Sequence, residues 1–235
     1  MHMLNPILLS IKVALLAVAI NAVLATLTAR IMARREFPGK DLLETCVILP
    51  MVLPPTVLGY GLLMFLGRRG PAGRLLLESF GLQIVFTWWA AVLAAAVVAF
   101  PLMYQSAKAA FTGVDQSLEQ AARTLGAGTM RIFFTITLPL AFPGLVAGLV
   151  LSFARALGEF GATLMIAGNI PGKTQTIPLA IYFAVESGDN TLARYLVMVI
   201  TVMAFAALYW LNLWSRKKLR MLQKGELPRV ARCHS

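Results

Sequence analysis

Residues 119–139 read EQAARTLGAGTMRIFFTITLP, a polar, helix-capable stretch in a chain that is otherwise strongly apolar. Ser117 and the Gln three residues later have the spacing of a capping box, and Asp115 is a competing cap. Gly126 stands where a residue in the left-handed conformation would end a helix. Thr129 can cap the next helix, which continues into an apolar segment. The pattern predicts a short polar helix, a sharp turn and then a membrane span.

The predicted short helix, at about residues 115–126, is amphipathic. Its apolar residues recur at helical spacing and are Val114, Leu118, Ala121, Ala122 and Leu125. Its polar residues fall mostly off that stripe and are Glu119, Gln120, Arg123 and Thr124. The small alanines let another surface approach closely. Such a helix can dock into a partner protein or rest on the lipid headgroups.

The spacing of this segment resembles the EAA signature of permease subunits of ABC importers. The signature's glutamate is displaced, because Gln120 stands in its place and Glu119 lies one residue earlier. The resemblance implies a type I permease whose coupling helix docks on a cytoplasmic ATPase. ATP would then be hydrolysed on that partner, so this chain would be no enzyme by itself and would carry no cofactor. The coupling residues implied are Glu119, Gln120, Ala121, Ala122, Leu125, Gly126, Ile136, Leu138 and Pro139.

The composition identifies an integral membrane protein. Hydrophobic residues make up 59% of the 235 and charged residues 13%, against roughly 25% charged residues in a soluble domain. This predicts an all-α, polytopic bundle in a single domain, 1–235, with about five spans of ~20 residues. The predicted spans are about 7–33, 42–66, 86–105, 131–154 and 191–214.

The net charge of +11 argues for a membrane surface rather than a nucleic-acid partner. The basic residues sit beside apolar segments, where orientation in the bilayer and anionic headgroups explain them. Cys46 and Cys233 cannot form a disulfide framework, and no metal site is expected. With the amino terminus outside and five spans, fourteen of the 21 basic residues lie inside. The positive-inside rule favours that orientation, with the carboxyl terminus and the coupling helix in the cytoplasm.

The second predicted span is interrupted by prolines. Pro50, Pro54 and Pro55 are followed by Gly59 and Gly61. Prolines remove backbone donors and bend a helix, and a broken segment is tolerated in a membrane where it lines a cavity or packs on protein. An ordinary proline kink and a lining of the pathway both remain open.

Arg155 and Glu159 lie four residues apart at the far end of the fourth span. Charges in membrane segments are costly and usually pair or line a cavity, although Arg155 at this depth could also simply snorkel. The neighbouring glycines permit a hinge. The candidate pathway or gate residues are Pro54, Pro55, Arg155, Gly158, Glu159 and Gly161.

The region after this pair contains a segment that only superficially resembles a phosphate-binding loop. Residues 164–167 are too short to cross the membrane, which predicts a re-entrant or surface segment, and residues 168–190 predict a polar external loop. Within them, 167–174 (AGNIPGKT) fits a relaxed phosphate-loop pattern. A working phosphate loop follows a buried strand, whereas this one follows a membrane segment and contains a proline. We therefore predict no nucleotide site here.

Four further segments resemble the molybdate permeases. The run at 154–161 is shared with sulfate and thiosulfate permeases, so it indicates the oxyanion group rather than the ion. The short length and the NIPG loop favour molybdate or tungstate. The resemblance implies a homodimer of permeases, two ATPase subunits and an extracytoplasmic binding protein in a bacterial inner membrane. The segments are LPMVLPP (49–55), GRRG (67–70), FARALGEFGAT (153–163) and NIPG (169–172).

Two other classes of function fit the sequence less well. A secondary transporter or channel needs an intramembrane proton or sodium site, for which Glu159 is the candidate, and it leaves residues 119–139 without a role. A membrane-embedded enzyme needs converging His, Asp or Glu residues, which the sequence lacks; His2 and His234 are terminal.

Overall fold

The computed structural model describes the backbone of residues 4–230 and the side chains of residues 4–214. These residues form an all-α bundle, as the sequence predicted. The elements are α1 (Leu4–Arg34), α2 (Lys40–Val52), α3 (Pro55–Leu66), α4 (Pro71–Phe80), α5 (Trp88–Thr112), α6 (Gln116–Thr124), α7 (Thr129–Ile132), the π-helical segment π1 (Phe133–Thr137), α8 (Leu138–Leu157), α9 (Gly161–Ala167), α10 (Ile177–Glu186) and α11 (Asn190–Val230).

Helix α5 is the centre of the bundle and packs mainly against α1 and α8. Its contact face is rich in alanine, and Ala91, Ala95 and Ala99 are fully buried. Small side chains let helix backbones approach closely, which is how helices associate within a bilayer. Helix α11 lies at the edge, where it contacts α10 and α8 and leaves most of its apolar surface exposed.

The prediction of about five spans agrees with the structure. Helices α1, α5, α11 up to residue 214, and the continuous segment from α7 to α8 are each long and apolar enough to cross a membrane. The pair α2 and α3 passes the same test together, with a bend of 115° between them. The break lies at Leu53, which is extended, and at Pro54 and Pro55, whereas Pro50 is accommodated inside α2.

In the region after α8, the structure excludes one of the two alternatives predicted for residues 164–167 and departs from the predicted loop. Helix α9 packs on α3 and α5 with most of its residues buried, so it is an internal segment rather than one lying on a surface. The predicted polar loop over residues 168–190 is wrong in its second half, because α10 is an apolar helix. Pro178 lies in the first turn of α10, where its missing N–H costs no hydrogen bond.

Candidate coupling site and translocation path

Helix α6 is the predicted short polar helix, and both of its ends are well defined. Asp115, not Ser117, is the N-cap, and its carboxylate accepts a 2.8 Å hydrogen bond from the Ser117 N–H. Hydrogen bonds from the backbone and then the hydroxyl of Ser117 lower the pKa of the Asp115 carboxyl. The predicted Thr129 cap is also wrong, because Gly128 occupies that position and no side chain caps α7.

Gly126 ends α6 in the left-handed conformation, with φ of 82°. The Gly126 N–H donates to the Arg123 carbonyl at 2.9 Å, and the Ala127 N–H donates to the Ala122 carbonyl at 3.0 Å. This pair of hydrogen bonds is a Schellman motif, which needs a positive φ at its central residue. The prediction for Gly126 is therefore confirmed, and the chain turns sharply after α6.

Glu119 faces the bundle instead of the exterior, with only 6% of its surface exposed. Its Oε1 accepts hydrogen bonds from Arg34 Nη2 at 2.8 Å and from Thr137 Oγ1 at 2.6 Å. Arg30 Nη1 lies 3.6 Å from the same oxygen. A single carboxylate therefore ties α6 to the end of α1 and to π1.

Arg30 of α1 also contacts aromatic rings on two neighbouring elements. Its guanidinium lies 5.7 Å from the ring centroid of Phe111, at the end of α5, and 5.4 Å from that of Phe133 in π1. These are cation–π distances. Arg30 therefore links α1 to α5 and π1 beside the carboxylate of Glu119, which itself ties α6 to α1 and π1.

Segment π1 gives Thr137 its position. The N–H of Leu138 bonds to the carbonyl of Phe133, five residues back, and this wider turn inserts a residue into the helix. Thr137 is fully buried and points at Glu119. Ile136 and Leu138 beside it are half-buried, and Pro139 is exposed. These three residues belong to π1 and α8 and not to α6, and among residues 136–139 it is Thr137 that bonds to α6.

The outer face of α6 is partly apolar. Leu118 is 46% exposed, and Leu125, the C-cap of the helix, is 87% exposed. Gln120 and Ala121 are exposed beside them, and Ala122 is half-buried. The predicted apolar stripe is therefore not the face that packs inward. The assignment of these residues to coupling stays a prediction.

The predicted pathway residues converge at the opposite end of α8. Arg155 Nη1 donates to Glu159 Oε2 at 2.8 Å, and Glu159 Oε1 accepts from the Ala162 N–H at 2.8 Å. The Glu159 side chain is 2% exposed and the Arg155 side chain 33%. Glu159 thus joins the last turn of α8 to the first turn of α9.

Of the two candidate glycines at this junction, Gly161 is required by packing. A Cβ on Gly161 would lie 3.1 Å from the Cβ of Pro55, so the start of α9 abuts the start of α3. Gly158 has φ of −88°, which any residue can adopt. Pro54 is the N-cap of α3 and Pro55 is its first residue, so both lie at the break between α2 and α3. The six candidate residues therefore share one region, and their role in a pathway stays a prediction.

The segment 167–174, which resembles a phosphate loop, is held by hydrogen bonds within itself. The Ile170 carbonyl accepts hydrogen bonds from the N–H groups of Lys173, Thr174 and Gln175. The buried Thr174 hydroxyl accepts from the Ile170 N–H at 3.0 Å and donates to the Gly168 carbonyl at 3.1 Å. The loop also follows helix α9 rather than a strand. Its amides are used internally and do not form a phosphate cradle.

Two partners of the coupling segment were not predicted from the sequence. Arg34 and Thr137 lie 85 and 18 residues from Glu119 along the chain, and only the packing of α1 against the rest of the bundle brings them together. One signal was available in the sequence. The first span ends in basic residues, and Glu119 is the acidic residue within the predicted polar helix that could pair with them.

Architecture and site together define the class of protein: a polytopic helical membrane subunit with a short helix turned out at one end. Solved structures share this fold. A bacterial ABC transporter involved in the import of the acidic polysaccharide alginate has a TM-score of 0.72 at 17% identity, covering 91% of this chain and 79% of that one. The MetNI methionine ABC transporter has a TM-score of 0.70 at 16% identity, covering 92% and 95%.

The chain belongs to the family of binding-protein-dependent transport system inner membrane components, whose pattern matches residues 5–220. A putative molybdenum transport system permease protein, YvgM of Bacillus subtilis, is 51% identical over 88% of this chain and 92% of that protein. The molybdenum transport system permease protein ModB of Escherichia coli is 49% identical over 90% and 94%. A probable sulfate transport system permease protein, cysT of Prototheca wickerhamii, is 36% identical over 86% and 79%.

Proposed function

We propose that this chain is the permease subunit of an ATP-driven importer of molybdate or tungstate. The observation that carries the choice of ion is the difference in identity. Relatives named as molybdenum permeases reach 51% and 49% identity over nearly the whole chain, whereas the sulfate relative reaches 36%. A sulfate or thiosulfate permease is the second candidate, because the run at 154–161 resembles both groups.

In this proposal α6 is the coupling helix. Its outer face offers Leu118, Ala121 and Leu125 to a groove on the ATPase subunit, while Glu119 ties its inner face to the bundle. Because packed helices shift as rigid bodies, a movement of the ATPase subunit against α6 would be passed on to the elements to which α6 is bonded. ATP would be bound and hydrolysed on the partner subunit, with no cofactor on this chain.

The proposed assembly contains two copies of this chain, two ATPase subunits and an extracytoplasmic oxyanion-binding protein in a bacterial inner membrane. The amino terminus would lie outside and the carboxyl terminus in the cytoplasm, as the distribution of basic residues favours. Cysteines introduced at Arg69 and Gly172 should react with an impermeant maleimide in intact cells. Labelling only after permeabilisation would contradict this orientation.

We assign the Arg155–Glu159 pair to a gate at the outer end of the proposed translocation pathway. Glu159 joins α8 to α9, so breaking the pair would loosen the packing of α9 against α3. Glu159→Gln should raise the ATPase activity of the assembled transporter in the absence of binding protein, while Arg155→Gln reduces transport. Basal and stimulated ATPase rates of both variants that equal those of the wild type would refute the gate.

A secondary transporter is less well supported. Glu159 is engaged by Arg155 and by the Ala162 amide, and Glu44 in α2 forms an ion pair with Lys108 of α5. Neither carboxylate is left to bind a coupling proton or sodium ion. A membrane-embedded enzyme has no support from the site described above.

The choice of ion is tested by competition. The transporter, reconstituted with its ATPase and binding protein, should take up labelled molybdate, and excess tungstate should suppress this uptake while sulfate should not. Suppression by sulfate equal to that by tungstate would favour the sulfate and thiosulfate alternative.

A further inference from the structure

An open cavity of about 440 Å³ lies beside α6, where α1 ends. Its charged lining is strongly unbalanced, since four guanidinium groups face a single carboxylate, that of Glu119. Neutral hydrogen-bonding groups from the first turns of α6 and α7 complete the wall. The basic residues are Arg30, Arg34, Arg35 and Arg123, and the neutral ones include Gln116 and Thr129.

Glu119 satisfies these guanidinium groups only in part. It accepts from Arg34 at 2.8 Å, but Arg30 at 3.6 Å is beyond hydrogen-bond distance. Arg30 Nη1 and Arg34 Nε are buried and have no acceptor among the described protein atoms. Arg35 and Arg123 form no ion pair with any residue whose side chain the structure describes.

Such a concentration of like charge in a concave site attracts anions. Four guanidinium groups and one carboxylate give a net charge of +3, in a concave site where low-dielectric walls focus the potential. Guanidinium groups present paired N–H donors that match the oxygens of a phosphate-type anion. The cavity also lies at the end of the apolar span α1, the depth at which basic side chains meet lipid headgroups.

We propose that this cavity binds a tetrahedral oxyanion of the phosphate type. The same chemistry is available from the headgroup of an anionic phospholipid and from a free inorganic oxyanion. The bound anion would neutralise the base of α6 and so stabilise the position in which α6 is held. The inference rests on the proposed function only in treating α6 as the coupling helix.

The test uses the purified full-length chain in a neutral detergent and measures its thermal midpoint. One arm adds inorganic phosphate up to about 20 mM at constant ionic strength, a range suited to millimolar affinity. The other arm adds phosphatidylglycerol, compared with phosphatidylcholine. The midpoint should rise by about 2–4 °C in at least one arm, and the arm that responds identifies the source.

Arg35→Gln and Arg123→Gln are the informative variants, because both side chains are exposed and neither holds Glu119. Each should lower the rise by about a quarter or more, since each deletes one of four cationic contacts. Arg131→Gln is the matched control: Arg131 is exposed and follows α6 closely, but it does not line the cavity, so the rise should persist.

Three outcomes would overturn the proposal. The first is no rise of the thermal midpoint in either arm. The second is an equal rise in Arg35→Gln, Arg123→Gln and Arg131→Gln. The third is that the variants change only the binding of the ATPase subunit. The last result would mean that an acidic protein segment occupies the cavity. Because the measurement needs neither transport nor ATP hydrolysis, its failure would leave the proposed transport function untouched.

Discussion

At the scale of single residues, Glu119 carries the connection between α6 and the bundle. Glu119→Gln keeps the size of the side chain but removes the charge that Arg34 and Arg30 face. Replacing the charged acceptor of a largely buried guanidinium by a neutral amide should lower the free energy of unfolding by about 2 kcal/mol. The measurement is thermal or denaturant unfolding of the purified chain, and the variant should also couple ATP hydrolysis to transport poorly.

Glu78→Gln is the control for that change. Arg74 and Glu78 also form an ion pair, but their side chains are 73% and 63% exposed. Exposed pairs contribute little, so this variant should change the free energy of unfolding by less than about 0.5 kcal/mol. Equal effects of the two substitutions would show that the buried position of Glu119 has no special role.

Gly126 and Glu119 show which structural features can be predicted from the sequence and which cannot. Gly126 could be predicted because its conformation depends on local hydrogen bonds that the spacing of the chain already implies. The burial of Glu119 could not, because it depends on Arg34 and Thr137, which lie on other elements. Helical periodicity tells which residues share a face, but it does not tell which face meets the protein.

At the scale of elements, the turn after α6 can be tested with paired glycines. Gly126→Val places a β-branched residue at a φ of 82°, which should cost about 1–2 kcal/mol. No atom lies within 4 Å of the added Cβ, so the effect should come from the backbone alone. We expect normal insertion, weakened ATPase binding and lost transport, measured by pull-down of the ATPase subunit and by uptake.

Gly128→Val is the matched control for this turn. Gly128 also has open space around its Cβ, but its φ of −69° suits any residue. It should retain ATPase binding and transport. If Gly126→Val transported as well as Gly128→Val, the direction of the chain after α6 would be irrelevant to coupling.

The packing of α3 on α9 offers a second pair of glycines on one helix. A Cβ on Gly59 would lie 2.7 Å from the Cα of Ala162, so Gly59→Ala must displace backbone. We expect the free energy of unfolding to fall by about 1–3 kcal/mol, as for other overpacked positions. Gly61→Ala meets open space and should be neutral or stabilising by up to about 1 kcal/mol.

Thermal unfolding of these two variants measures the difference. A Gly59→Ala protein as stable as Gly61→Ala would mean that α3 and α9 are not in close contact. The same pair explains why α9 could be predicted only in part. Its short length indicated that it does not span the membrane, but its burial against α3 depends on Gly59, 103 positions away from Ala162 in the numbering.

The elements were otherwise predicted well where apolar runs are long. The spans around α1, α5, α8 and α11 follow from composition and length, and the break near Pro54 and Pro55 follows from proline chemistry. Helix α10 was missed because it has ten residues, too few for a span, and begins beside the polar residues Gln175 and Thr176. Only its contacts with α11 and α1 explain why it is ordered.

At the scale of the whole molecule, the two ends of α8 contact different short helices. One end holds α6 through Glu119 and Thr137, and the other holds α9 through Arg155 and Glu159. Twenty residues of helix separate them, which is about 30 Å. We propose that this helix connects ATP-driven movement at α6 to opening at the Arg155–Glu159 gate.

The most direct test of this account is the energy source for transport. Vesicles should be prepared with this chain, its ATPase partner and its binding protein, and labelled molybdate uptake measured with ATP or a non-hydrolysable analogue on the α6 side. The account predicts uptake only with hydrolysable ATP and all partners present, and no effect of collapsing proton and sodium gradients. Uptake by this chain alone, driven by an ion gradient without ATP, would contradict it.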